Sequence, residues 1–440
     1  MKRLCLLALV SCAHHAKTID VPDVCRDHGD ANACIGWAMD LVYLGANDRR
    51  YDDPALAAYV GAVANKIARV AGLDHVRVRL LDDDGAEASA LGGDIVYVNR
   101  GILARLDDEA ELAALLGHEV THLVAKHTAD LLHSDEDALM SDEERLRRRD
   151  DDEALADERA VAWITAAGYE PSAVLDMMRA IQRNDDGTDP PPGEALDRTA
   201  PEDDHPPVSI RMARIARLVA GRRGGVRNRA AFLAHVEGLV VGEDPRRGRI
   251  DHGVWIHAAS RLAIDLPKSW QATGGEALEV KSPDGATINV STVARTWADL
   301  LREVLEDAHD RVVAGRDALV GTVSSTKSEG AGDDATKISI NADALGTPTA
   351  ILDEGDRALV LGAGGTHART RLDQVLALVR PATDEEVEGA HPRRLHLRAA
   401  DRAGTVAQLA KTLCKDPAAS RALDDPARAV ARGDLIKCVE

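Results

Sequence analysis

Residues 109–124 read EAELAALLGHEVTHLV and decide the fold of the chain around them. Six Leu and Val residues recur at helical spacing over residues 112–124, and the acidic residues before them suit the positive end of a helix. Asp107 is the expected N-cap. The pattern predicts a buried helix that carries two histidines four residues apart.

The two histidines, His118 and His122, lie on one face of such a helix, so both imidazoles can bind one metal ion. Glu119, between them, can reach a water molecule on that ion. A catalytic zinc ion takes three protein ligands, and Glu153 on a following helix is the expected third. Asp157, one turn later, is placed to accept the ring N–H of a ligand histidine.

His118 and His122 could instead be ordinary buried histidines without a metal, because a pentapeptide such as HEVTH also occurs by chance and buried histidines are common. His127 follows the motif on a different helical face, where we expect a capping or solvated residue. The charged residues 134–152 are expected to form an exposed connection, which could also gate a cleft.

Several segments resemble the HtpX and CAAX-protease family of zinc peptidases, peptidase family M48. Residues 117–122 match its HExxH helix, residues 153–157 its ExxxD helix, and residues 166–171 its AGYxP turn. Residues 90–101 are similar to its PGG strand but lack the Pro, and residues 205–211 are similar to its HP…R segment.

The resemblance covers residues 51–220 and implies an α+β fold with a mainly helical, gluzincin-type protease domain and a small sheet. It implies one zinc ion per chain, polypeptide substrates, and Glu119 as the general base that passes a proton from water to the leaving amine. By family position, His205 is implied as a catalytic residue and Arg211 as a contact to substrate or oxyanion.

The N-terminus has the features of a secretory signal, because Lys2 and Arg3 precede an apolar run too short to span a bilayer. Residues 9–12, LVSC, resemble a bacterial lipobox, which implies removal of residues 1–11 and a membrane anchor through lipid on Cys12. An ordinary signal with a stray cysteine is the alternative. We therefore expect an exported envelope protein, periplasmic and lipid-anchored to the outer membrane.

If Cys5 leaves with the signal and Cys12 carries lipid, four of the six cysteines remain available. An even count in an exported protein suggests disulfides. The pairing local in sequence joins Cys25 to Cys34 and Cys414 to Cys438, although three pairings are formally possible. The acidic balance, with 74 Asp and Glu against 54 Lys and Arg, argues against nucleic acid as a partner.

A chain of 440 residues is too long for one hydrophobic core and predicts several domains. After the signal, we expect a lipidated lead-in over residues 12–50 and the peptidase domain over 51–240. An α+β domain follows over 245–378. Residues 379–440 resemble a degenerate LysM module, which implies a cell-wall glycan as a partner, although Ala403-Gly404-Thr405 replaces the usual Gly-Asp-Thr.

Three further segments bear on the site or on the fold. Residues 95–99 are expected to form a strand that could pair with an extended peptide if it lies at a sheet edge. Residues 184–207 are rich in Asp, Pro and Gly and predict a loop. Residues 292–314 predict one strong helix.

These features together predict a zinc metalloendopeptidase, and the family resemblance implies that it acts on envelope proteins in quality control. One alternative is a proteolytically silent chaperone or scaffold with a protease-like body. Another is an autoinhibited enzyme in which His205, from the loop 184–207, occupies the open position of the zinc ion.

Overall fold

The computed structural model describes residues 31–46, 48–127, 141–183, 208–303, 305–323 and 346–440. Cys12, Cys25, His205 and the loop 184–207 lie outside these ranges. Residues 50–242 and 393–440 form one unit, and residues 243–392 form a second unit with the described part of residues 1–49. The predicted segment 379–440 therefore divides between the two units at residue 393.

Helices occur in both units, and their bounds in chain order are as follows. They are α1 (Ala31–Asp40), α2 (Pro54–Val70), α3 (Arg100–Arg105), α4 (Glu109–Ala125), α5 (Asp142–Ala166), α6 (Ala173–Gln182), α7 (Val208–Val219), α8 (Arg229–Val236), α9 (Arg295–Glu303), α10 (Ala368–Leu376), α11 (Asp384–Glu388), α12 (Val406–Leu413) and α13 (Pro417–Ala422). A π-helix spans Leu41–Ala46, and 3-10 turns span Pro245–Arg247 and Ala258–Ser260.

The longest strands, of seven to nine residues, all lie in the second unit. The strands in chain order are β1 (Arg77–Leu81), β2 (Ala88–Ser89), β3 (Ile95–Asn99), β4 (Arg249–Asp251), β5 (Val254–His257), β6 (Leu262–Asp265), β7 (Gln271–Thr273), β8 (Leu278–Lys281), β9 (Thr287–Ala294), β10 (Leu305–Val313), β11 (Arg316–Val323), β12 (Thr347–Asp353), β13 (Arg357–Gly364), β14 (Val379–Pro381), β15 (Leu395–Ala399), β16 (Gly404–Thr405), β17 (Ala429–Val430) and β18 (Leu435–Val439). Helices and sheets are mixed, so the predicted α+β class is confirmed.

The small sheet beside α4 has the strand order β1, β3, β2. Strand β3 pairs in parallel with β1 and antiparallel with β2, and each of its residues is buried. Pairing of an extended peptide with β3 would require this strand to lie at a sheet edge, but β3 is the central strand. Its sequence IVYVN is apolar throughout its first four residues, as expected for a strand buried on both faces.

The central helix α4 begins one residue later than the sequence suggested. Asp108 is its N-cap, and the side chain accepts a hydrogen bond from the backbone N–H of Glu111 at 3.0 Å. The expected cap was Asp107, and its Oδ1 instead lies 3.1 Å from Nζ of Lys437. Asp107 thus faces cations that are distant in the sequence, Lys437 and Arg229, instead of capping the helix.

The C-terminal segment 393–440 contributes residues to the hydrophobic core around α4 and also has a smaller cluster of its own. Strands β15 and β18 pair antiparallel, and Leu395 and Val439 belong to the buried cluster that also contains the leucines of α4. Cys414 and Cys438 form the predicted disulfide. Cys34 is also disulfide-bonded. Binding of a glycan by this segment stays a prediction.

The second unit contains a long antiparallel sheet with the strand order β10, β11, β12, β13, β9, β8, β7. The predicted helix over residues 292–314 is wrong, because helix α9 covers only the middle of that range, between β9 and β10. Strand β10 turns back into β11 through Ala314 and Gly315, both with positive φ, as in a tight hairpin turn. Pairing between strands overrides the local helical pattern here.

Among the described residues, no helix combines the length and the apolar character needed to cross a membrane.

Candidate metal centre

The first two candidate metal ligands, His118 and His122, come from the middle of α4, where the helix is buried. His118 is 6% exposed and Glu119 is 7% exposed, whereas the side chain of His122 is 16% exposed. The Leu residues and Val120 of α4 hold this helix in the core, so both imidazoles project from a rigid element.

The third ligand comes from α5, which begins earlier than the sequence suggested. Ser141 caps the helix, and Ser141 and Glu144 form a capping box. Residues 142–152 of the charged segment 134–152 are therefore helical, and their described side chains are exposed or half-buried, as expected for an exposed connection. Glu153 lies well inside a 25-residue helix and is 4% exposed.

Helices α4 and α5 approach closely at Gly117. A Cβ atom on Gly117 would lie 3.3 Å from Cα of Ala160 and 3.6 Å from its Cβ. The absence of a side chain at Gly117 thus lets the backbones of the two helices pack together. This contact is one residue from His118 and brings the carboxylate of Glu153 within reach of both imidazoles.

The side chains of His118, His122 and Glu153 lie at the corners of a compact ligand triangle, in which each oxygen of Glu153 faces one imidazole. Nε2 of His118 lies 3.2 Å from Nε2 of His122 and 3.4 Å from Oε2 of Glu153. Nε2 of His122 lies 3.3 Å from Oε1 of Glu153. Ligand atoms about 2.0 Å from a tetrahedral zinc ion would themselves be roughly 3.3 Å apart. The donor set and its separations therefore fit zinc.

Asp157 lies behind His118, on the side away from the ligand triangle. Its Oδ1 is 3.3 Å from Nδ1 of His118, and the residue is fully buried. Burial raises the pKa of this carboxyl, but the hydrogen bonds from His118 and Arg211 outweigh burial and bring the pKa below its ordinary value. An ionised carboxylate in this place favours a proton on Nδ1 of His118, which leaves Nε2 free for a metal.

Arg211, on α7, is buried at 6% exposure and faces the two carboxylates. Its Nε and Nη2 donate hydrogen bonds to Asp157 at 3.0 and 2.7 Å, and Nη1 lies 2.9 Å from Oε2 of Glu153. Burial lowers the pKa of the guanidinium, but the carboxylates raise it by more. This geometry favours a role in orienting the carboxylates over the predicted contact with substrate.

The imidazole of His118 experiences a strongly negative environment. Burial alone would lower its pKa, but Glu153 and Asp157 raise the pKa to about 10. A site that stabilises positive charge on an imidazole also stabilises a cation at its ring nitrogen. The electrostatics of the cluster thus agree with the geometry.

A further contact was missed by the sequence reasoning. His127 is buried at 9% exposure, with Nδ1 2.9 Å from Nδ1 of His122 and Nε2 3.2 Å from Oδ1 of Asp152. The expectation that His127 is a capping or solvated residue on another face is wrong. Lys126, with φ of 58°, ends α4 and redirects the chain, a change that helical spacing does not reveal.

The structure thus brings together His118, His122, Glu153, Asp157 and Arg211. One ligand atom from each of His118, His122 and Glu153 can be chosen so that all lie within 4.8 Å of one another. The predicted catalytic residue His205 lies outside the described residues.

Part of the chain, including the segment that carries His118 and His122, is similar to known proteins. Residues 54–137 match the family model of Peptidase family M48, which confirms the predicted resemblance for that segment. The chain is 32% identical over 81 residues to the Beta-barrel assembly-enhancing protease of Yersinia pestis, an alignment that covers 18% of this chain and 16% of that protein. It is 36% identical over 74 residues to the Mitochondrial metalloendopeptidase OMA1 of Schizosaccharomyces pombe, covering 16% of this chain and 22% of that protein. The aligned part is therefore a small share of either relative.

Proposed function

We propose that this chain, which carries a peptidase family M48 domain matched over residues 54–137, is a zinc-dependent metalloendopeptidase of the gluzincin type. The main support is the close approach of His118, His122 and Glu153: the two Nε2 atoms lie 3.2 Å apart, and each lies 3.3 to 3.4 Å from one oxygen of Glu153. Glu119 lies on α4 between the two histidines, where a catalytic base is needed.

Zinc bound by these three residues would lower the pKa of a bound water molecule and polarise the scissile carbonyl group. In the proposed reaction, Glu119 accepts a proton from the attacking water and donates it to the nitrogen of the leaving amine. Glu119 is buried, at 7% exposure, and α4 holds its backbone in a fixed position beside the two histidines.

Arg211 and Asp157 have supporting roles in this proposal. Asp157 accepts a hydrogen bond from the Nδ1–H group of His118 and thereby fixes the tautomer that leaves Nε2 available for the metal. Arg211 neutralises part of the charge on Asp157 and Glu153, which allows two buried carboxylates to lie close to one another.

We assign the chain to the bacterial cell envelope, with envelope proteins as substrates and protein quality control as its role. The support is the signal-like N-terminus with Cys12 in a lipobox, together with the name of the similar Yersinia pestis protein. Anchoring to the outer membrane through Cys12 is part of this proposal. Replacing Cys12 with Ser should move the protein from the membrane fraction to the soluble fraction, and unchanged fractionation would exclude the anchor.

The activity is tested with the purified chain lacking residues 1–12, by measuring zinc content and the cleavage of casein. We expect one zinc ion per chain and cleavage that Glu119→Gln abolishes while zinc content is retained. Glu158→Gln makes the same chemical change at an exposed position of α5 and should leave cleavage unchanged.

Other outcomes would change the assignment. A chain that binds zinc without cleaving casein would favour the alternative of a silent or autoinhibited scaffold. Recovery of cleavage after deletion of part of the loop 184–207 would then identify the autoinhibited form. A chain that binds no zinc would contradict the proposed function itself.

A further inference from the structure

The two ligand histidines are supported in different ways at the ring nitrogen that faces away from the ligand triangle. Nδ1 of His118 contacts the carboxylate of Asp157 directly, at 3.3 Å. Nδ1 of His122 contacts another imidazole, that of His127, at 2.9 Å. Behind it, Nε2 of His127 lies 3.2 Å from Oδ1 of Asp152.

The separation of 2.9 Å between two imidazole nitrogens requires one nitrogen to carry a proton and the other to present a lone pair. A neutral histidine that binds a metal through Nε2 carries its proton on Nδ1. His122 is then the donor and Nδ1 of His127 the acceptor. The proton of a neutral His127 is consequently on Nε2, where it faces the carboxylate of Asp152.

We propose that His127 and Asp152 are positioning residues that form a hydrogen-bonded relay to His122 and fix its ring orientation and tautomer for metal binding. This inference rests on the proposed function, because it assigns a role toward the same zinc ion. The relay runs from Nδ1 of His122 through both nitrogens of His127 to Oδ1 of Asp152, with contacts of 2.9 and 3.2 Å.

The local backbone explains how His127 reaches His122. In a continuous helix, a residue five positions after His122 would be rotated by about 140° from it, away from the same face. Lys126 adopts a left-handed conformation with φ of 58°, and its N–H bonds to the carbonyl groups of His122 and Leu123. The chain therefore folds back at the end of α4 and carries His127 onto the side of His122.

The second residue of the relay is placed by the helix that also supplies a ligand. Asp152 directly precedes Glu153 on α5, so one turn of that helix contributes both a metal ligand and the end of the relay. The imidazoles of His122 and His127 are nearly perpendicular, at 78°, with centroids 4.9 Å apart. An edge-on contact of this kind directs a ring nitrogen of one imidazole toward the other.

The relay is tested by measuring zinc affinity by chelator competition for His127→Phe, Asp152→Ala and the double variant of the chain lacking residues 1–12. Each single variant should weaken zinc binding by about 10- to 100-fold, as is typical when the partner of a ligand histidine is removed. The double variant should be little weaker than the weaker single one, since both residues act through His122. His127→Gln retains an oxygen that can accept the bond and should recover part of the affinity.

Two controls separate positioning from a general effect on folding. Asp151→Ala removes an exposed carboxylate next to Asp152 and should leave zinc affinity unchanged. The thermal midpoint of the metal-free variants should match that of Asp151→Ala. With cobalt in place of zinc, the visible absorption of the His127→Phe protein should shift, because the orientation of His122 affects the ligand field.

The outcomes distinguish this inference from the proposed function. Normal zinc affinity in His127→Phe and Asp152→Ala, in a wild-type protein that binds zinc and cleaves casein, would overturn the relay alone. Loss of affinity that only parallels a lower midpoint of the metal-free variants would also overturn it. A wild-type protein that takes up no zinc would overturn both.

Discussion

Arg211 donates two hydrogen bonds to the carboxylate of Asp157, at 3.0 and 2.7 Å, in a place where Asp157 is fully buried. The side chain of a residue on α7 thus neutralises a charge on α5. Because Asp157 in turn contacts His118, the guanidinium also influences the environment of a proposed zinc ligand. A buried charge without its partner is costly, so this pair is sensitive to the loss of either member.

Replacing Arg211 with Met should lower the unfolding free energy of the metal-free protein by about 3 to 5 kcal/mol, because Asp157 loses its cation. Urea unfolding followed by circular dichroism measures the change. Arg217→Met, at an exposed position of the same helix, is the matched control and should change stability by less than about 0.5 kcal/mol. Equal stability of the two variants would contradict the role given to Arg211.

Replacing Gly117 with Ala should separate α4 from α5, since the new Cβ would lie 3.3 Å from Cα of Ala160. We expect a loss of about 1 to 3 kcal/mol in stability and a weaker zinc site, because Glu153 moves away from the imidazoles. Thermal unfolding and zinc competition measure the two effects.

Gly61, on α2, is the control for the change at Gly117, because a Cβ atom added there would meet no other atom within 4 Å. Gly61→Ala should be neutral or stabilising, because alanine favours the helix. If Gly117→Ala behaved in the same way, the close approach of the two helices would not matter for the metal centre.

Replacing Lys437 with Met should detach the C-terminal strands from the helical core. Nζ of Lys437 donates hydrogen bonds to the carbonyl groups of Leu106 and Leu423, at 2.6 and 2.7 Å, and lies 3.1 Å from Oδ1 of Asp107. Without the cation these buried oxygens lose a donor, so the unfolding free energy should fall by about 3 kcal/mol. Limited proteolysis should then cleave residues 393–440 faster, whereas the exposed Lys411→Met should leave the rate unchanged.

The stability of the second unit should depend on pH through His257. Burial, together with the positive charges of Arg247 and Arg357, lowers the pKa of this imidazole from 6.5 to about 3. The backbone N–H of Ser260 donates to its Nδ1 at 3.3 Å, which also favours the neutral ring.

The direction of this pH effect depends on whether the folded or the unfolded state binds the proton more tightly. Below pH 6.5 the unfolded chain protonates His257, whereas the folded chain does so only near pH 3, so unfolding takes up a proton between these values. Acidification from pH 6 to pH 5 should therefore lower stability by about 1 kcal/mol through this group alone. His257→Gln should reduce that slope in urea titrations, and an unchanged slope would assign the acid sensitivity to other groups.

Much of the metal centre could be read from the sequence because its ligands lie on helices with regular spacing. The four-residue step from His118 to His122 places two imidazoles on one face, and the step from Glu153 to Asp157 does the same for two carboxylates. The order of these motifs also carried the resemblance to a family, which the match over residues 54–137 supports.

Other contacts depend on chain positions that no local pattern connects. Strand β10 is a strand because it pairs with β11, and its sequence alone favoured a helix. Arg211 faces Asp157 because α7 packs beside α5, and His127 returns to His122 because Lys126 takes a left-handed conformation. These outcomes are set by packing and backbone turns, whose free energies exceed local propensities.

The types of the proposed ligands, the helices that carry them and the chemistry they suit follow from the sequence, since side-chain identity and helical periodicity are local properties. The separations of these ligands, the cation beside their carboxylates and the packing of Leu395 and Val439 with α4 depend on tertiary contacts. Distances between helices depend on how buried side chains fill space across the whole unit, as Gly117 against Ala160 illustrates.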